Sequence, residues 1–112
     1  MTMYDRGTVV VINMRWPDGS GSKPRPATIL STDAYREGRQ DIIVVGLTAN
    51  LEGSRFGDYA LSDWQPAGLR GPTKTKGVLA TVKRSAVRKQ LGTLSETDLG
   101  GIETSVREVL GI

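Results

Sequence analysis

Two prolines bracket a single arginine in the stretch Lys23-Pro24-Arg25-Pro26-Ala27. Proline fixes its own φ and drives the residue before it to extended backbone. Pro26 therefore restrains Arg25, and Pro24 limits the path by which the chain reaches it. An arginine held this way is aimed, and its planar fork of donors suits a phosphate or a carboxylate. An arginine in a loop is also commonly just a solvated side chain, so its meaning depends on what surrounds it.

Composition narrows the chemistry that could accompany it. The 112-residue chain holds no cysteine and no histidine. A thiolate nucleophile, a disulfide framework and a Ser-His-Asp triad are therefore excluded, and zinc sites lose their usual ligands. Acid–base work falls to Asp, Glu, Lys, Tyr or Arg, with hydroxyls assisting. The formal charge of +3 is modest, but its distribution is uneven. Residues 70–89 carry Arg70, Lys74, Lys76, Lys83, Arg84, Arg88 and Lys89 without one acid among them. Such a stretch contacts phosphate, meets an acidic partner, or is a solvated face. No apolar run approaches the roughly 20 residues of a membrane span, and the start of the chain has no secretory-signal pattern.

The elements that must position these groups read as short strands. Val9–Ile12 is an unbroken β-branched run, which predicts a strand over Thr8–Asn13 buried on both faces. Trp16–Ser22 is a Gly- and Pro-rich loop. Further strands are expected over Ala27–Ser31, Asp41–Ala49, Asp58–Leu61, Gly77–Val82 and Lys89–Leu94. Gly46 marks a bulge or a close backbone approach. Asp33 is an expected N-cap, Ser62–Leu69 a helical turn pinned by Trp64, Arg70–Lys76 a basic loop, and Ser85–Arg88 a turn. Ser95-Glu-Thr-Asp98 opens a C-terminal helix with one apolar face, an expected Glu103–Arg107 pair on its surface and Gly111 at its end. Gly100 and Gly101 each cost that helix about 1 kcal/mol against alanine, so packing must hold it. These elements predict one domain over residues 1–112: mainly β with α, a twisted, partly closed antiparallel sheet with a C-terminal helix.

Their order carries a resemblance. Arg6-Gly7-x-Val9-Val10, Asp18-Gly19-Ser20 and Arg25-Pro26-Ala27-x-Ile29-Leu30-Ser31 are followed by Leu47-Thr48-Ala49-Asn50 and Gly57-Asp58-Tyr59. Ser62-Asp63-Trp64-Gln65-x-Ala67-Gly68-Leu69, Thr75-Lys76-x-Val78-x-Ala80-Thr81-Val82 and Leu91-Gly92-x-Leu94-Ser95 complete the set. The ordered series is similar to the MazF/PemK (Kid-like) toxins of type II toxin–antitoxin pairs and spans essentially the whole chain. The resemblance implies a small SH3-like antiparallel β-barrel, a homodimer and a cytoplasmic protein. It implies a metal-independent, cofactor-free endoribonuclease that cuts single-stranded RNA, usually mRNA, at a short sequence, leaving a 2′,3′-cyclic phosphate and a 5′-hydroxyl. A cognate acidic antitoxin would cover the RNA groove, in a complex that binds DNA. The alternative is a non-catalytic RNA- or antitoxin-binding module on the same barrel.

Carried over onto this chain, the resemblance makes Arg25 and Thr48 the catalytic residues. The family loop often reads Gly-Ser-Glu-Gln before Arg-Pro; here Gly19–Pro24 is about one residue shorter and lacks the acid and the amide. An acid that some members place near Lys74-Thr75-Lys76 is also replaced by lysine. Candidate RNA contacts are Ser20, Ser22 and Lys23 in the loop, and Lys74 and Lys76 as phosphate contacts. Trp16 either stacks on a base or closes the barrel. Asn50 either holds a turn or reads a base edge, and Ser31 either supports Arg25 or ends a strand. Arginine carries protons poorly but clamps phosphate well. Arg25 is therefore expected to stabilise the transition state, with Thr48 donating to the same phosphate and the general base unassigned.

Overall fold

The run Val9–Ile12 forms the centre of β1 (Thr8–Arg15) in a computed structural model that describes residues 4–112. The start of the chain, where no signal pattern is read, lies partly outside those residues. β2 (Ser22–Ile29), β3 (Asp41–Thr48), β4 (Lys74–Lys83) and β5 (Val87–Thr93) complete an antiparallel sheet in the order β4-β3-β2-β1-β5. A single helical turn, α1 (Asp33–Arg36), joins β2 to β3, and α2 (Glu96–Leu110) closes the chain.

Two-faced burial of β1 follows from its sequence. Val10 and Ile12 join Ala27, Ile29, Ile42 and Val44 on one face. Val9 turns to the other, where Val45 and Leu47 meet Leu61 and Ile102 of α2. Val82 of β4 and Val87 of β5 both pack on the first cluster, although β4 and β5 are opposite edges of the sheet. The sheet therefore curls around that core, as the short strands predict.

Several boundaries differ from the sequence reading. β2 begins at Ser22 instead of Ala27. Pro24 and Pro26 are tolerated because that stretch pairs only with β1, while the ladder to β3 starts at Ala27. A proline without an N–H fits an unpaired edge. The expected strand Asp58–Leu61 is reduced to one bridge, Ala60 with Lys74. The expected basic loop Arg70–Lys76 instead ends in β4, whose Lys74 and Thr75 lie opposite Thr48 and Leu47. Thr32, not Asp33, caps α1, and the turn near Ser85 is a 3-10 turn over Arg84–Ala86. Gly46 satisfies both expectations for it. The β3–β4 register shifts between Val45 and Leu47, and a Cβ at Gly46 would sit 3.3 Å from the Trp16 indole nitrogen.

α2 is held by one buried carboxylate. Ser95 caps the helix through the Asp98 N–H at 3.1 Å, but Asp98 does not complete a capping box. Its carboxylate accepts from the Tyr59 hydroxyl (2.8 Å), the Ser62 N–H (2.9 Å) and the Asp63 N–H (2.8 Å). Gly101 explains itself here, because a Cβ there would overlap the Tyr59 ring. Glu103 pairs with Arg6 at 2.8 Å rather than with Arg107. Burial alone would raise the Asp98 pKa, but the Ser62 and Asp63 N–H groups and the Tyr59 hydroxyl outweigh it and hold the pKa below 3.8.

A group with a depressed folded-state pKa contributes stability that is complete above its unfolded pKa and is lost as pH falls through the folded value. Urea denaturation of Asp98→Ala should show a loss of about 3 kcal/mol, since hydrogen bonds to a charged acceptor are removed in a buried site. The wild type should lose stability as pH falls below about 4, and Asp98→Asn should lack part of that slope.

Candidate functional site

Arg25 lies in β2 opposite Ile12 of β1 and is only 8% exposed. Its Nε donates to the Met14 carbonyl at 3.2 Å, and Nη2 donates to the Ser20 hydroxyl at 2.7 Å. The guanidinium carbon sits 3.7 Å from the centroid of the Trp16 ring. Among the described residues it makes no ion pair, and Nη1 meets no acceptor. The result is a fixed positive charge with one side left open, which is what an anion requires of a receptor.

Trp16 follows β1 directly and is buried in the core over Gly46. The alternative of closing the core is therefore the one realised, and its ring serves as a platform for cations. Lys76 Nζ lies 4.5 Å from the same ring centroid. A tryptophan face attracts cations through its quadrupole, so the indole gathers Arg25 and Lys76 into one positive locus.

Thr48 ends β3, the neighbour of β2 in the sheet. The β2–β3 ladder stops with Ala27 opposite Gly46; the same register extended by two residues would place Arg25 across from Thr48, and no hydrogen bond joins the two side chains. Thr48 is buried to 8% exposure, and its hydroxyl oxygen accepts from the Asn50 N–H at 3.1 Å. That bond leaves the hydroxyl proton available to an acceptor in the cleft. Thr48, Asn50, Asp18 and Lys76 share a cleft of about 630 Å³ whose rim includes Phe56. Asn50 also accepts from the Glu52 N–H through its side chain, at 3.0 Å, so its turn-holding alternative is the one the geometry supports.

The sequence matches the family model of the PemK-like, MazF-like toxins of type II toxin–antitoxin systems over residues 5–110. The chain belongs to that family. No curated protein matches the sequence significantly. Solved structures share the fold at low identity. A mycobacterial endoribonuclease in complex with its cognate antitoxin superposes with a TM-score of 0.76 at 20% identity, covering 96% of this chain and 95% of that one. The MazE–MazF complex of Deinococcus radiodurans gives 0.76 at 21% identity with 99% of both chains covered. The Mycobacterium tuberculosis toxin MazF-mt6 gives 0.74 at 16% identity, covering 94% and 97%.

The remaining candidate residues of this toxin fall into distinct places. Lys74 is not available to a phosphate. Its Nζ donates to Asp58 at 2.8 Å and to the carbonyls of Glu52 (3.3 Å) and Gly53 (3.4 Å), with its side chain only 10% exposed. It ties down the 49–58 loop, which lines one wall of the cleft. Burial would raise the Asp58 pKa, but the Lys74 ammonium and the Arg55 N–H hold it below 3.8. Ser31 accepts from the Ile43 N–H at 3.0 Å beyond the far end of β2, so it ends the strand and is not gathered with Arg25. Ser22 and Lys23 are exposed at the start of β2. Phe56, 77% exposed at the cleft rim, escaped the sequence reading. An aromatic in a polar loop was its only signal.

Lys74→Ala and Lys76→Ala should separate these two lysines. Loss of Lys74 leaves Asp58 half-buried and unpaired, and should cost about 3 kcal/mol in urea denaturation with faster amide exchange over the 49–58 loop. Loss of Lys76 should cost less than about 1 kcal/mol, the scale of a cation–π contact near the surface.

Proposed function

We propose that residues 1–112 form one toxin domain that cleaves single-stranded RNA without a metal, producing a 2′,3′-cyclic phosphate and a 5′-hydroxyl. The observation that carries this reading is the buried, carboxylate-free Arg25 guanidinium, held through Nε and Nη2 with Nη1 left without an acceptor. In-line attack of a ribose 2′-oxygen on the adjacent phosphorus builds charge on the non-bridging oxygens. Arg25 and the Thr48 hydroxyl supply donors where that charge develops. Holding the phosphate between them lets the neighbouring 2′-oxygen align, which supplies a large share of the rate. Arg25 also stabilises the departing 5′-oxygen. Lys76 draws the backbone into the cleft, and the exposed Phe56 ring offers a face on which a base can stack.

A protein antitoxin is the partner proper to this family, and the acid-free basic stretch of β4 and β5 suits an acidic one. A homodimer is supported by an apolar crevice between β4 and α2, lined by Leu79, Val106 and Val109, with Leu110 exposed beside it on the helix. No helix of the described residues is long and apolar enough to cross a membrane, and a cytoplasmic site of action fits an mRNA target.

Incubation of a long single-stranded RNA with the toxin in EDTA, read by mass spectrometry, tests this function. Discrete fragments ending in cyclic phosphate are expected. Arg25→Ala should lower the cleavage rate by about 10³-fold, with Arg25→Lys retaining more activity than Ala. Near wild-type turnover by Arg25→Ala would remove the assignment. Phe56→Ala should raise KM by about tenfold or more, the scale of one lost stacking contact.

A further inference from the structure

The loop Asp18-Gly19-Ser20-Gly21 lacks the acid and amide common in the family, yet its hydrogen bonds converge on one side chain, Ser20. Gly19 and Gly21 both take positive φ, 80° and 83°, and they flank Ser20. Only glycine adopts that backbone freely on both sides of a residue, so the two glycines present the serine. The Gly19 N–H returns to the Trp16 carbonyl at 3.3 Å, which closes the loop over the indole that carries Arg25. Asp18 then fixes Ser20 from behind. Its Oδ1 accepts the Ser20 N–H at 2.8 Å. Hydrogen bonds from the Ser20 hydroxyl and N–H together hold the Asp18 carboxyl below its usual range. The hydroxyl oxygen in turn accepts from Arg25 Nη2 at 2.7 Å.

A serine hydroxyl has one proton and two lone pairs. One lone pair takes the Arg25 Nη2 proton, and the Ser20 backbone is held by Asp18, so Ser20 is placed to act on the site through Arg25. We propose that Ser20 is a positioning residue for the cleavage reaction: anchored by Asp18, its hydroxyl fixes the Nη2 side of the Arg25 guanidinium and so leaves the Nη1 side facing the scissile phosphate. This rests on the endoribonuclease reading for its consequence in rate, but not for its effect on Arg25 itself.

Single-turnover cleavage by Ser20→Ala, Ser20→Thr and Asp18→Asn tests the rate consequence. Ser20→Ala should lower kcat by about tenfold while KM stays within about twofold, the signature of an interaction used in the transition state and not in binding. Threonine keeps the hydroxyl and should restore kcat to within about threefold. Asp18→Asn should fall between the two. Ser20 is exposed, so thermal midpoints should match the wild type. A Ser20→Ala kcat within about twofold of wild type, or a loss that threonine fails to restore, would overturn the proposal. Nitrogen-15 NMR of the Arg25 side chain gives a readout independent of cleavage. Rotation about the Nε–Cζ bond should be about fivefold faster in Ser20→Ala. Unchanged rotation would overturn the proposal, whereas intact RNA with wild-type protein and faster rotation in Ser20→Ala would overturn only the endoribonuclease reading.

Discussion

Taking a guanidinium out of water costs free energy unless its donors and its charge are met by other groups. Arg25 meets that demand with a backbone carbonyl, a serine hydroxyl and an indole face instead of a carboxylate. A carboxylate would have satisfied the charge and closed the site. The partial solution leaves a positive group fixed in place with one donor nitrogen still unmatched.

The rest of the fold supports that arrangement. The double proline sends β2 along β1 without a β3 partner, so Arg25 sits beyond the last β2–β3 ladder pair. Gly46 lets Trp16 lie against β3. Lys74 and Asp58 brace the loop on the other wall of the cleft. Farther away, Asp98 ties α2 to the segment from Tyr59 to Asp63. The neighbouring Thr75 N–H bonds to the Tyr59 carbonyl at 2.9 Å. Helix docking and the strand that carries Lys76 are therefore linked through one short segment.

Much of this was legible in the sequence. The β-branched runs pointed to β1 and β3, the helical periodicity pointed to α2, and the family resemblance singled out Arg25, which the fold buries without a carboxylate partner. What stayed hidden depended on partners distant in the chain. Lys74 and Lys76 look alike as lysines two residues apart and would share a face in a regular strand, yet the register shift in β4 just past Thr75 parts them, one against Asp58 and the other over Trp16. Asp98 reads as a helix-capping acid because local spacing says so; its real partners lie more than thirty residues upstream. Gly101 reads only as a weak point in a helix until Tyr59 is placed against it. Pro24 and Pro26 argue against a strand unless one knows that β2 lacks a second neighbour there.

The account turns on Arg25 and Thr48 gripping one phosphate. The direct measurement is a titration of the toxin with a single-stranded RNA whose reactive 2′-hydroxyl is replaced by hydrogen, so that it binds without being cut. It is followed by NMR of the Arg25 Nε–H and the Thr48 methyl. The account predicts that both signals move together and saturate at one ratio of RNA to toxin, and that the Thr48 methyl no longer moves in Arg25→Ala. RNA that binds and shifts other signals while leaving Arg25 and Thr48 where they were would contradict it.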